Sequence, residues 1–208
     1  MTGAVAVPAL RRVIRRRSAT AHPGQRCDLC AGEVGEPHRH LLDVQRDEVL
    51  CACRACALLF ERDTAGRGHY LLIPQRRRRL SDPGPPTVGI PVGLAFFVAR
   101  PDGAVVARYP SPAGATRWEV GEETWRRITE CWPSVREMSP LVEALLVNTA
   151  RGARESWIVP IDDCYRLVAL VRREWRGLAG GSTVWPAVDR FFADLAAPRG
   201  SPTATTCP

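Results

Sequence analysis

The chain contains no lysine: all 29 of its basic residues are arginine. GC-rich coding explains this more simply than selection for guanidinium chemistry, so uniform arginine does not by itself mark a nucleic-acid binder. Long apolar runs are missing as well. The most apolar stretch, Ile90 to Val98, is broken by Pro91 and Gly93. It falls well short of the roughly 18 apolar residues that a membrane helix needs, and it reads as a buried strand. Histidine is scarce, and His22, His38, His40 and His69 all lie in the first third. A histidine-based catalyst would have to be built there. No glycine-rich phosphate or dinucleotide fingerprint is present, nor a nucleophile elbow or Ser-His-Asp order. These absences leave a conventional enzyme unsupported, and the expectation is a non-catalytic protein.

What is abundant is cysteine, and it is clustered. Five of the eight cysteines fall between Cys27 and Cys56, with His38 and His40 among them. Cys27-Asp28-Leu29-Cys30 and Cys53-Arg54-Ala55-Cys56 are two Cys-x-x-Cys pairs. Each can present two thiolates from one tight turn, and two facing turns make a tetrahedral four-sulfur cage of the zinc-ribbon or rubredoxin kind. Zinc is the leading metal, because tetrahedral thiolate sites suit it and it needs no redox partner. Iron in a rubredoxin-like electron carrier is the alternative, although neither pair carries that family's proline and aromatic neighbours. The simplest ligand set is Cys27, Cys30, Cys53 and Cys56. Cys51 stands in reserve, followed by His38 or His40, which could also build a binuclear or catalytic site. His38-Arg39-His40 places both imidazoles on one side of a strand. Surface histidines on a strand between two turns fit slightly better than ligands. Cys164 reads as core packing.

Hydrophobic content of 45% and charged content of 25% are ordinary for a globular chain. The pattern suggests a flexible arginine-rich arm at 1–25, a metal module at 26–75, an α+β core at 76–197 and a disordered tail at 198–208. The arm has its apolar part before its charges, the reverse of a secretory signal. The expected location is the reducing cytoplasm, where clustered cysteines favour metal over disulfides. His69–Pro74 reads as a strand. Leu94–Arg100 and Ala104–Tyr109 form a hairpin about Pro101-Asp102-Gly103. Tyr109–Thr116 reads as an irregular exposed loop. The remainder reads as mainly helical: one helix carries Trp125, Ile128 and Trp132, and another follows Ser139-Pro140 with Leu141, Leu145 and Asn148 on one face. Ser156–Ile161 is a strand, Asp162 caps the next helix, and Val188 to Leu195 mark the last.

Arg76 to Arg79, with the N-terminal arginines, could neutralise phosphates, so a zinc-ribbon nucleic-acid binder is a further alternative. A charge run is more often a solvated face.

Several strings together carry a resemblance: the first Cys-x-x-Cys, His38-Arg-His-Leu-Leu-Asp43, Cys51-Ala-Cys-Arg-Ala-Cys56, Tyr109–Thr116, Val142–Asn148, Pro160–Val168 and Trp175–Gly181. Over about residues 26 to 195 the chain resembles an uncharacterised, chiefly actinobacterial family that looks to be encoded with nickel–iron uptake hydrogenases. The resemblance implies an accessory role in hydrogenase assembly or maturation, with a hydrogenase subunit or maturation factor as partner. On this basis Tyr109, Ser111, Arg166 and Trp175 are the expected partner-binding residues.

Overall fold

The computed structural model describes residues 25–35, 38–61, 69–81, 93–177 and 180–197. The expected arm (apart from Gln25), the expected tail and residues 82–92 lie outside them. The described elements are strands and helices mixed along the chain. Two antiparallel sheets result. The smaller has the order β2 (Glu48–Ala52), β1 (Arg39–Asp43), β3 (Tyr70–Leu72), and α1 (Arg54–Leu58) follows β2. The larger has the order β4-β9-β8-β5-β6-β7. Its strands are β4 (Arg78–Arg79), β5 (Leu94–Ala99), β6 (Val105–Ser111), β7 (Gly114–Val120), β8 (Glu143–Asn148) and β9 (Glu155–Pro160). Helices α2 (Glu122–Cys131), α3 (Ile161–Glu174) and α4 (Val184–Ala196), with two short 3-10 turns at Pro133–Glu137 and Ala150–Gly152, complete the set.

The six-stranded sheet is covered on both faces, and the alternation along its central strands shows why. Leu94, Phe96 and Val98 of β5 join Ala144, Leu146, Trp157 and Val159 against the apolar stripes of α3 and α4. Ala95 and Phe97 point the other way, joining Leu145, Val147 and Ile158 beneath Ile128 and Trp132. A strand buried on both sides has no polar face to show. β5 and β8 are accordingly apolar at almost every position, and all of β8 is buried.

This corrects the expected helix after Ser139-Pro140. Leu141, Leu145 and Asn148 satisfy a helical spacing only because nearly every neighbour is apolar too, and such a run fits either period. The structure makes it β8, paired with β5 and β9. The C-terminal half is therefore mixed rather than helical. The 109–116 region is likewise no loop. Tyr109↔Thr116, Pro110↔Ala115 and Ser111↔Gly114 continue the β6–β7 ladder to its end.

The hairpin about Asp102 is as read. Gly103 takes φ +85, its N–H donates to Arg100 O, and Arg100 N–H donates to Ala104 O. Gly93 has a different reason to be glycine. It takes φ +74, and a Cβ there would lie 2.6 Å from Ala150 N.

The smaller sheet has little core of its own: Leu41, Ala52 and Ala57 are its fully buried apolar residues. Its other face is borrowed, for Leu42 of β1 and Ile73 belong to the large core.

Each arginine of the run meets a carboxylate of the same chain, while Arg76, Arg78 and Arg79 stay partly exposed. Arg76 forms two bonds to Glu143 (2.5 and 2.8 Å), and Arg77 forms two to Asp163 (2.7 Å each). Arg78 meets Glu137 at 3.3 Å and Arg79 meets Glu155 at 3.5 Å. Four consecutive cations thus strap the chain across the sheet edge. Burial alone would raise the Glu143 carboxyl, but Arg76 and the Ser139 N–H outweigh it and hold it below its usual range.

These pairs should rank by burial. Removing the Asp163 carboxylate (Asp163→Ala) strands a largely buried guanidinium and should cost about 3–5 kcal/mol, whereas Arg79→Ala, at an exposed pair, should cost under about 1 kcal/mol. Urea unfolding reads both. A lowered folded pKa contributes stability that is present above the unfolded carboxyl range and lost as pH falls through the folded value. Glu143→Gln should therefore flatten the acid limb of the melting-temperature profile.

Candidate metal centre

The first cysteine pair sits in a short hairpin knuckle. Arg26 and Glu33 form an antiparallel bridge, and Val34 N–H donates to Gln25 O at 2.9 Å. Inside the turn, Cys27 N–H donates to Gly32 O and Ala31 N–H to Cys27 O, each at 2.8 Å. Ala31 adopts φ +57. At Gly32 an added Cβ would come within 3.3 Å of Cys30 Sγ, so the turn closes tightly over the sulfur.

Asp28 ties this knuckle to β2. Its N–H donates to Cys51 O (2.9 Å), and its Oδ2 accepts from Cys51 N–H (2.6 Å). The chain then needs only Ala52 to bring up the second pair. That pair does not occupy a second strand–strand knuckle. Cys53 is the N-cap of α1, its Sγ accepting from Cys56 N–H, and the i, i+3 spacing turns both sulfurs to one side of the first turn.

The four sulfurs of Cys27, Cys30, Cys53 and Cys56 all lie within 4.8 Å of one another. Cys30 Sγ and Cys53 Sγ are 3.8 Å apart. A tetrahedral thiolate site with metal–sulfur bonds of about 2.3 Å has edges of about 3.8 Å. The donor set therefore suits a tetrahedral metal ion.

The thiols bear the marks of crowding. Burial opposes the Cys27 thiolate, yet the backbone N–H groups of Cys53, Cys30 and Leu29 bring it down to about 6. Cys56 is pushed up to about 12 by the Cys53 and Cys30 sulfurs beside it. A divalent cation removes this conflict by stabilising all the thiolates together.

His38 and His40 are buried, at 8% and 6% exposure, not on the surface. The reason is on β1 and the residue just before it: His38, His40 and Leu42 alternate onto the face that packs against the large core. His40 Nδ1 lies 2.7 Å from Asp162 Oδ2, and His40 Nε2 lies 2.9 Å from His38 Nε2. Asp162 is thus not the helix cap. Pro160 holds that position, and the carboxylate, in the first turn of α3, reaches across to β1. Cys51 lies opposite His40 in the β1–β2 register and is disulfide-bonded. It does not join the four-sulfur group; it lies in a second cluster with His38 and His40.

A second polar seam joins the module to the core. Asp47, at φ +57 in the β1–β2 turn, accepts from Arg108 (3.0 and 3.1 Å), from Tyr165 (2.7 Å) and from Arg117.

The residues expected to bind a partner are not brought together. Tyr109 is buried on the α2 side of the sheet. Ser111 Oγ donates to Gly114 O within its own hairpin. Arg166 and Trp175 lie on the opposite side, Arg166 bonded to Asp163 and lying over Phe191, and Trp175 at the end of α3 donating to Gly177 O. Cys164 is core, as read.

Residues 26–199 match a family of unknown function, DUF5947. The chain belongs to this family. The match begins one residue before Cys27 and runs beyond α4, so it takes in both the module and the core. No curated protein and no solved structure matches. Among the described residues, no helix is long and apolar enough to cross a membrane.

Metal affinity should fall on acidification. Thiolate is the binding form, so protons compete increasingly as pH drops from neutrality through about 6, where Cys27 itself protonates. Zinc retained against a chromophoric chelator across this range checks it. Cys30→Ser should show little retention at any pH.

Proposed function

We propose that this protein is a non-catalytic, zinc-binding accessory protein that works by docking on another protein. The observation that carries the reading is the four-sulfur group: its thiolates spend all the positions of a tetrahedral ion, leaving none open for substrate or water. Zinc in such a site holds shape. What it holds here is two turns that expose apolar side chains. Leu29 in the knuckle and Leu58 and Leu59 at the end of α1 are 36%, 54% and 66% exposed. These three, rather than the 109–116 hairpin, form the docking surface. The resemblance to hydrogenase-associated proteins makes a hydrogenase subunit or maturation factor the partner we propose, and the cytoplasm the place.

The iron reading uses the same four sulfurs and differs in colour: a ferric four-thiolate protein is red and bleaches on reduction, whereas the zinc protein is colourless. The nucleic-acid reading loses its strongest support, because Arg76 to Arg79 are engaged with carboxylates of the same chain.

Purified with its metal, the protein should be colourless with zinc by elemental analysis. Used as bait, it should recover a hydrogenase component from cells that make one. Leu58→Asp with Leu59→Asp should abolish that recovery while zinc content stays unchanged. Turnover of a small substrate with no partner recovered would sink the reading.

A further inference from the structure

The His38–His40 pair is not used by the four-sulfur group, and it is built like a ligand pair. His40 is on β1 and His38 lies two residues earlier, just before the strand begins, so in extended chain their side chains share a face, and Cys51 sits directly opposite His40 on β2. His38, His40 and Cys51 each offer one donor atom, all within 4.8 Å of one another, and all three residues are buried. The imidazoles approach edge to face, with Nε2 to Nε2 at 2.9 Å. Two imidazoles bound to one tetrahedral ion at about 2.0–2.1 Å stand about 3.4 Å apart. Opening the pair by about half an ångström is enough. His40 already has its other nitrogen on a buried carboxylate, Asp162 Oδ2 at 2.7 Å. A carboxylate on Nδ1 fixes the tautomer whose Nε2 lone pair can coordinate, and it makes the ring a better ligand.

We propose that His38, His40 and Cys51 form a second transition-metal site in the reduced protein, separate from the four-sulfur group, with Asp162 as the positioning residue of His40. A donor set of two imidazole nitrogens and one thiolate takes a borderline divalent first-row cation. Cys51 joins once its disulfide is opened. A trialkylphosphine does this by taking oxygen from water to become the phosphine oxide while the S–S bond becomes two thiols, and Cys51 then binds as the thiolate. The ion would tie β1 to β2, with Asp162 of α3 holding His40 in place.

The test is a titration of zinc alone into the metal-free full chain, reduced with phosphine, against a chromophoric chelator. The reduced chain should take two equivalents. His38→Ala should keep one and Cys30→Ser should keep one, each losing a different equivalent. Asp162→Asn should weaken one equivalent by roughly 10- to 100-fold and leave the other unchanged, which serves if His38→Ala fails to fold by circular dichroism. A reduced chain that stops at one equivalent, indifferent to His38→Ala or Asp162→Asn, overturns the proposal. So does a second equivalent that survives both changes at full affinity. Should Cys30→Ser instead keep both equivalents, the four-sulfur reading fails while this one stands.

Discussion

Four sulfurs from two turns converge on one point, and a metal bound there is the constraint on which our account of the small module rests. Burial cannot hold it alone. The module's own core is Leu41, Ala52 and Ala57, and two of these are side chains with almost no apolar area to hide. Ordering the backbone costs about 1–2 kcal/mol per residue, and so small a core does not offset that for a knuckle, a hairpin and a one-turn helix. Small modules in this position turn to a metal, whose binding energy becomes folding energy. The hydrogen bonds around the site have the same sense. Asp28 clamps Cys51 at both N–H and C=O, which fixes the approach of β2 to the knuckle and hence where Cys53 begins α1.

The module is not an appendage on a tether. Leu42 and Ile73 enter the large core, His40 meets Asp162, and Asp47 gathers Arg108, Arg117 and Tyr165. Just past β3, the arginines from Arg76 to Arg79 continue the seam along the sheet edge. Apolar contact supplies attraction without direction. The buried ion pairs add little net stability, because desolvation consumes most of their Coulomb energy. They do penalise every other seating, since a shifted register would leave Glu143 or Asp163 buried without a cation. The outcome is a rigid scaffold that presents Leu29, Leu58 and Leu59 beside the sulfurs.

Much of this was legible in the residues. The two Cys-x-x-Cys pairs named the four converging sulfurs, since spacing alone dictates that a tight turn or a helix start can present both thiols. The Asp102-Gly103 hairpin was equally local. What failed was what depends on tertiary context. Val142–Asn148 is apolar at every position but Glu143 and Asn148, so its period carried little information until partners on both sides made it a strand. Tyr109–Thr116, rich in proline and glycine, read as a loop because its pairing partner is its own other half, and nothing local marks that register. The arginine run hid its partners completely, because Glu143 and Asp163 lie 67 and 86 residues away. The histidines did leave a signal. His38 and His40 alternate with Leu42, and a strand face ending in a buried leucine is a buried face.

The claim that a metal at the four cysteines holds the module on an otherwise self-sufficient core is tested most directly by hydrogen exchange with and without chelator. Removing the metal should release protection in β1, β2, α1 and the knuckle, while β5, β8 and β9 stay protected, because local opening follows the element that lost its staple. Unchanged protection across residues 26–60 on chelation, or loss spread evenly over both sheets, would contradict the account.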